Sequence, residues 1–328
     1  MNIFNKTNEL CSIVEKQLLS EICGDYYIYC IPFYSNVGDM LIYQGTLEFL
    51  KKTNHKCLGG FFLYDYQFPK ISSNVVLIVQ GGGYFGDLWR KGWNPVIELV
   101  KRYPHNKIII MPQSIYYSDL DLAKQDAEIF SNHENIIICS RDYNSYTFAK
   151  EFFNNRIILI PDMAFFMDLN IYARNIMHTS SKDLYLKRYD KESVDFNIDV
   201  FGKDVRDWPT LDSTYKKNIQ ILCEKMFLYY RKLICRWPFL RNAIKFIIYN
   251  VCFSWIYKPL LIHEGVAFIN NYNIIYTSRL HGLILSFLLG KQIVLLDNSY
   301  GKLQSFYDTW LKDVDTISLL PNINNKYL

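Results

Sequence analysis

No two cysteines in this chain are spaced to hold a metal or form a redox pair. The eight cysteines are scattered, with no C-x-x-C and no Cys/His cluster. That excludes zinc-finger and thioredoxin-type chemistry and predicts reduced thiols in the cytoplasm, each a small core residue. No run reaches the roughly 18–20 uncharged apolar residues a membrane span requires. The nearest candidate is Phe246–Tyr257, closed by Lys245 and Lys258. The N-terminal segment carries charges throughout and has no apolar signal region, so a secretory signal is not expected. Charge of one sign is also lacking. Against 36 basic residues stand 32 acidic ones, and a net +4 gives no ground for nucleic-acid binding. Internal repeats, low-complexity tracts and Pro/Gly/Ser linkers are absent.

What is present is a large apolar fraction, half of 328 residues, with 26 Tyr and 22 Phe. The length suits two domains better than one core. Short apolar runs alternate with amphipathic ones. Strands are expected at Tyr26–Tyr34, Asn74–Gln80, Lys107–Gln113, Asn135–Asp142 and Arg156–Pro161. Helices are expected at Gly38–Lys52, Asn94–Tyr103, Ser118–Asn132 and Asn144–Phe153. That alternation predicts an α/β protein with parallel sheet covered on both faces. The rhythm fades after Asp162 and returns at Asp183–Asp190, Phe196–Gly202 and Tyr276–Asp297. The expectation is two Rossmann-like domains, residues 1–170 and 171–328, with the active site in the cleft between them.

Ligands in open α/β sheets sit where strands lead into helices. The turn at "SNVGD" offers Asn36, Gly38 and Asp39. The segment "QGGGYFGD" reads as a Gly-rich turn ending in Asp87, a carboxylate at the lip of a cleft that could act as a general base. Gly81, Gly83 and Gly86 fit a dinucleotide fingerprint, but the next strand ends in Met111-Pro112-Gln113 without the acid that fingerprint requires. "MPQS" (Met111–Ser114) and "SRDYNS" (Ser140–Ser145) read as further turns, with Arg141 and Asp142 a structural neighbour pair, and "PDMAFF" (Pro161–Phe166) as a plain turn.

The most informative segment is "YTSRLHGLILSFLLG", in which an apolar helix opens with Ser278, Arg279 and His281. A helix N-terminus attracts anions and disfavours a cation. Arg279 fits there if an anion lies between, gripped by two parallel hydrogen bonds. His281 can donate a hydrogen bond or a proton near neutral pH. The alternative is that Arg279 and His281 pair with carboxylates of the protein itself.

A second unusual stretch, 225–263, carries Lys225, Arg231, Lys232, Arg236, Arg241, Lys245 and Lys258 and no acid, with Trp, Tyr and Phe between them. It suits either an anionic membrane surface or a packed helical pair with a solvated basic face.

Together, "NVGDMLIYQG", "GGGYFGD", "MPQS", "SRDYNS", "PDMAFF", "LYLKRYDKE" and "SRLHGLILSFLLGKQ" resemble the polysaccharide pyruvyl transferase family. Arg279-Leu280-His281-Gly282 is the most specific match. The resemblance implies a GT-B-like arrangement and transfer of pyruvate from phosphoenolpyruvate to a sugar as a cyclic ketal, with release of phosphate. It implies that Arg188, Ser278, Arg279, His281 and Gly282 hold phosphoenolpyruvate. His281, Asp87 and Arg279 would carry the catalysis. Asn36, Gly38, Asp39, Gly82, Gly83, Gln113 and Ser114 would face the acceptor. No metal and no cofactor is expected; phosphoenolpyruvate is a co-substrate. The expected acceptor is a polyprenyl-phosphate-linked sugar of a capsule or exopolysaccharide precursor, at the cytoplasmic face of the membrane. Rival readings are a nucleotide-sugar glycosyltransferase, a nicotinamide oxidoreductase and a non-catalytic assembly subunit.

Overall fold

The computed structural model describes residues 2–65, 67–173, 182–193, 203–208, 211, 213–297 and 301–320. After helix α1 (Ile3–Leu18) the chain forms β1 (Tyr26–Ile31), α2 (Val37–Leu50), β2 (Cys57–Phe62), β3 (Val76–Val79), β4 (Gly82–Gly86), α3 (Arg90–Arg102), β5 (Ile108–Tyr116), α4 (Leu120–Ser131), β6 (Ile136–Ser140), α5 (Tyr143–Phe152) and β7 (Arg156–Leu159). These strands make one parallel sheet in the order β2-β1-β3-β5-β6-β7. The first half of β5 pairs with β3 and its second half with β4. Strands buried on both faces must be apolar at successive positions, and the Ile-rich starts of β5 and β6 satisfy that. Ile78, Ile109 and Ile137 turn to one core, while Leu77, Ile108, Ile110 and Ile138 turn to the other, under α3, α4 and α5.

A short helix α6 (Asn170–Ala173) follows, then β8 (Asp183–Leu186) and β9 (Lys203–Arg206). Next come α7 (Thr214–Arg236), α8 (Arg241–Phe246), a π-helix over Ile247–Tyr257 and α9 (Lys258–Asn270). The chain ends through β10 (Ile274–Thr277), α10 (Leu280–Leu288), β11 (Gln292–Leu295), α11 (Lys302–Trp310) and β12 (Ile317–Leu319). The second sheet, β12-β11-β10-β8-β9, is also parallel throughout. The first core continues into it through Leu184, Ile275, Leu283 and Ile293. The expected α/β class with parallel sheets is therefore present, and the strand expected at Phe196–Gly202 lies outside the described residues.

Several local expectations are corrected. The Gly-rich segment is no phosphate-cradling turn. It continues as β4, and a Cβ at Gly86 (φ +124°) would lie 1.8 Å from the Tyr116 carbonyl oxygen, so glycine serves strand pairing. The helix it should have opened begins later, at Arg90, which removes the dinucleotide reading. Met111–Ser114 is likewise the interior of β5, not a turn. Helix α3 starts a turn before Asn94, because Pro95 interrupts only one backbone bond and Trp93 stacks on Phe85 at 3.7 Å. Cys30, Cys139, Cys223 and Cys252 are buried as expected, but Cys23, Cys57 and Cys235 are exposed.

The 225–263 stretch packs inward on one side. Phe227, Phe253 and Tyr257 close on Phe33 at ring-centroid distances of 4.4, 5.2 and 4.8 Å. Lys258 is drawn into the core, donating to Gln44 Oε1 at 2.6 Å. Lys245 lies 3.9 Å from the Phe61 ring centroid. Two of the seven cations are thus not surface charges. No helix among the described residues is long and apolar enough to cross a membrane.

Candidate active site

Two helices from different sheets point their N-termini at one cavity of 790 Å³. Helix α2 is capped by Asn36, whose Oδ1 accepts from Gly38 N at 2.9 Å and whose Nδ2 donates to Asp39 Oδ2 at 2.7 Å. Helix α10 opens at Arg279 without a side-chain cap; Thr277 Oγ1 accepts from Arg279 N at 3.0 Å. Gly38 explains how close the two ends come. A Cβ there would sit 2.6 Å from Nδ1 of His281, so only glycine lets the imidazole lie on α2.

His281 Nε2 lies 3.3 Å from Asp162 Oδ2, which also accepts from Arg141 Nη1 at 2.7 Å. Asp162 and Arg141 are almost fully buried. Burial alone would raise the Asp162 carboxyl, but the His281 and Arg141 charges and the Ala164 N–H outweigh it and hold it well below the usual range. A carboxylate behind an imidazole fixes its orientation. Arg141 also donates from Nε to Ser114 Oγ at 3.0 Å, and its Nη2 comes within 3.1 Å of where a Gly83 Cβ would be. Lys302 Nζ approaches the same point at 3.5 Å. A glycine at 83 thus leaves room for two cations on the cavity wall.

Next to them, Glu192 ties Arg188 Nη1 (2.8 Å) to Lys302 Nζ (2.7 Å). Arg188 also forks onto Asp190 at 2.9 and 3.0 Å. Arg279 donates from Nε and Nη2 to Asp207 at 2.5 and 2.7 Å and reaches Asp190 at 3.3 Å. In this structure, then, Arg279 and His281 do pair with protein carboxylates, as the alternative reading held. Both nevertheless line the cavity, beside Arg141, Arg188, Lys191 and Lys302. Asp39 faces them, and its carboxyl is raised by burial against the pull of His281, Tyr34 and Arg141.

The sequence candidates divide into two groups. Asn36, Asp39, Gly83, Asp87, Arg188, Arg279 and His281 line the cavity. Gly38 shapes it from behind. Ser278 and Gly282 lie behind the wall; a Cβ on Gly282 would strike Thr277 Oγ1 at 2.5 Å, and Ser278 provides no helix cap. Gly82, Gln113 and Ser114 sit in the sheet, where Gln113 bonds the Gln80 carbonyl at 2.9 Å and Ser114 donates to Asp142 at 2.8 Å. Asp39 is not a cap, since Asn36 holds that position. Asp87 does not cap α3 either. Its Oδ2 accepts from Ser118 N, Ser118 Oγ and Asp119 N at 2.7–2.8 Å, while its buried Oδ1 has no partner. Of the cations near "LKRYDKE", Arg188 reaches the cavity, whereas Arg206 stacks on Phe268 at 5.0 Å.

Arg141, Asp162, Asp190, Glu192, Asp207 and Lys302 were not singled out by sequence. The sequence presents Arg141 and Asp142 as a structural neighbour pair, whereas the ion-pair partner of Arg141 is Asp162, 21 residues on. Among the described residues no group of three or more His, Cys, Asp or Glu is placed to hold a metal ion.

Such a cavity, lined by cations and two helix N-termini in an α/β protein with parallel sheets, has the chemistry to receive an anion. A family model for "Polysaccharide pyruvyl transferase" matches residues 36–300. The chain is 31% identical to "Putative pyruvyl transferase EpsO" of Bacillus subtilis (strain 168), over 99% of this chain and 96% of that one. It is 25% identical to "Pyruvyl transferase 1" of Schizosaccharomyces pombe (strain 972), over 90% and 73%. A crystal structure of an uncharacterized protein from Klebsiella pneumoniae subsp. pneumoniae shares the fold with TM-score 0.60 at 19% identity, covering 98% of this chain and all of that one. The chain belongs to the polysaccharide pyruvyl transferase family. Membership implies a transferase with a polysaccharide acceptor.

Proposed function

We propose that the chain is a phosphoenolpyruvate-dependent ketal-pyruvyl transferase with a GT-B-like arrangement of its two sheets. It would act on a polyprenyl-phosphate-linked sugar of a capsule or exopolysaccharide precursor, at the cytoplasmic face of the membrane. The observation that carries this reading is the convergence of Arg141, Arg188, Arg279, Lys302 and His281 on one cavity. Phosphoenolpyruvate has two anionic groups, a phosphate and a carboxylate, and needs two cationic clamps. Each protein carboxylate now paired with Arg279 or Arg188 marks where a ligand oxyanion can take over.

The reaction proceeds in two steps. One sugar hydroxyl adds to C2 of the enol while C3 takes a proton from His281, and the hydroxyl proton passes to Asp39. A carboxyl raised by burial suits a base. Asp87 Oδ1, still without a partner, accepts a hydrogen bond from the acceptor. The second hydroxyl then attacks C2 and gives its proton to His281, the C2–O bond to phosphate breaks, phosphate leaves with the proton held on Asp39, and the ketal ring closes. Fixed cations stabilise charge building on the leaving group.

The experiment is to incubate the protein with phosphoenolpyruvate and glycosides bearing free diols. The expected result is phosphate release together with a product heavier by pyruvate less one water. Release of nucleotide from a nucleotide sugar, with phosphoenolpyruvate untouched, would instead establish the glycosyltransferase reading.

A further inference from the structure

Helix α7 is apolar on two sides. Its inner stripe, Cys223, Phe227, Tyr230 and Ile234, is buried against the core. Its outer stripe, Leu222, Met226 and Tyr229, recurs at i, i+4 and i+7 and faces solvent. A solvated helix face is ordinarily polar. The pattern continues through the next turns, where Phe239, Phe246 and Trp255 are each at least 66% exposed. Thirteen of the twenty-two exposed large hydrophobic residues among the described residues fall between Tyr215 and Ile256. Concentration of that kind marks a contact surface and not scattered exposure.

The charge around the stripe selects the partner. Lys225, Lys232 and Arg236 are exposed beside it, and no acid occurs from 225 to 263. Glu224, just outside, is spent on Tyr257 at 2.7 Å and Gln220 at 3.1 Å. A two-fold contact between copies would stack these cations on themselves, so the face disfavours a second chain. Aromatics and cations around an apolar stripe suit the headgroup boundary of an anionic bilayer. With no helix among the described residues fit to span, the contact lies in the plane of the membrane.

We infer that the outer face of α7, α8 and the π-helix docks on an anionic lipid bilayer and holds the cavity rim against it. The inner side of α7 fixes that placement. Gln220 donates to Ser35 Oγ at 2.5 Å, and Arg231 lies 5.9 Å from the Tyr64 ring centroid; Ser35 and Tyr64 both line the cavity. A sugar carried on a membrane lipid thereby reaches the side where Asp39 and Asp87 stand. The inference rests on the proposed function for its lipid-borne acceptor, but docking is read without any activity.

The test is co-sedimentation of the full chain with phosphatidylcholine vesicles, with and without phosphatidylglycerol, at low and high salt. Binding to the anionic vesicles is expected, weakening with salt. The triple variant Lys225→Gln, Lys232→Gln, Arg236→Gln should partition roughly 100-fold less. Trp255→Ser with Phe239→Ser should also release the protein, and both variants should keep wild-type turnover on a soluble glycoside. A wild-type chain indifferent to anionic vesicles at low salt overturns the inference, as does a dimer that Trp255→Ser with Phe239→Ser converts to monomer. Vesicle binding without phosphate release would leave docking standing and sink the proposed function instead.

Discussion

Arg279 illustrates what a single residue contributes and conceals. Its guanidinium is already forked onto Asp207, so ligand must exchange one carboxylate for another. Arg279→Ala is expected to lower kcat/KM about 100-fold or more through loss of a bidentate contact. Arg279→Lys should restore only part, because an ammonium lacks the planar fork. Steady-state kinetics with phosphoenolpyruvate decides this, and full activity in either variant removes Arg279 from the site. Mutant kinetics separate the roles proposed for Asp39 and Asp87. Asp39 is raised by burial, so the acid limb of kcat/KM should lie above the ordinary carboxylate range. In Asp39→Asn that limb should vanish, with the rate down on the order of 100-fold. Asp87→Asn should raise KM for acceptor and leave the limb in place; if it is Asp87→Asn that abolishes the limb, the two roles are reversed. At this scale the sequence showed what stands out locally. Arg279 and His281 contradict the polarity of the helix they open. Asp162 gave no such signal, since an Asp before a short turn is ordinary and its two partners come from the turn after β6 and from α10.

Among the elements, the junction of α9 with α2 shows how a sequence of favourable patterns hides a cost. Read from the chain, Lys258 was one more cation on a basic face. In the fold it opens α9 inside the core, against Gln44 and the Tyr43 ring. Burial lowers its pKa to about 8. Between that value and the ordinary 10.5 the unfolded chain holds a proton that the folded chain does not. Stability should therefore rise as pH increases through this window, and the neutral-pH cost is up to about 3 kcal/mol. Lys245, lowered by burial to a similar value, acts in the same direction. Urea midpoints at pH 7 and pH 9.5 test this: wild type should gain, and Lys258→Met should gain markedly less. An unchanged gain in Lys258→Met would mean that Gln44 and Tyr43 keep the ammonium charged and the slope arises elsewhere. The strands were far more legible than this junction. Continuous Ile runs predict a parallel sheet, whereas the continuation of "GGGYFG" as β4 depends on a partner, β5, more than twenty residues downstream.

For the whole molecule, the break in rhythm after Asp162 was legible, but the packing that crosses it was not. Helix α1 belongs to the first half in sequence, yet Lys6 pairs with Asp313 at 2.9 Å. In the reverse direction, α7, the π-helix and α9 leave the second half to cover Phe33, Phe62 and Tyr43 of the first. Tyr230 of α7 donates to the buried Asp65 at 2.7 Å. Side-chain patterns of one element report its own periodicity and carry nothing about which distant element will cover it. The consequence is mutual dependence of the halves. A fragment of residues 1–170 would leave the Phe33–Phe62 aromatic surface bare, with Asp65 stripped of its tyrosine. Such an exposed apolar patch favours aggregation. Expressed alone, the fragment is expected to be insoluble or to bind a hydrophobic dye, and co-expression with residues 171–328 should recover soluble complex. The intact chain should unfold in urea through one transition seen alike by tryptophan fluorescence and far-UV circular dichroism. Two separated transitions, with a soluble and well-ordered fragment, would show that each half folds on its own and that the contacts across the boundary hold two finished domains together without helping to form them.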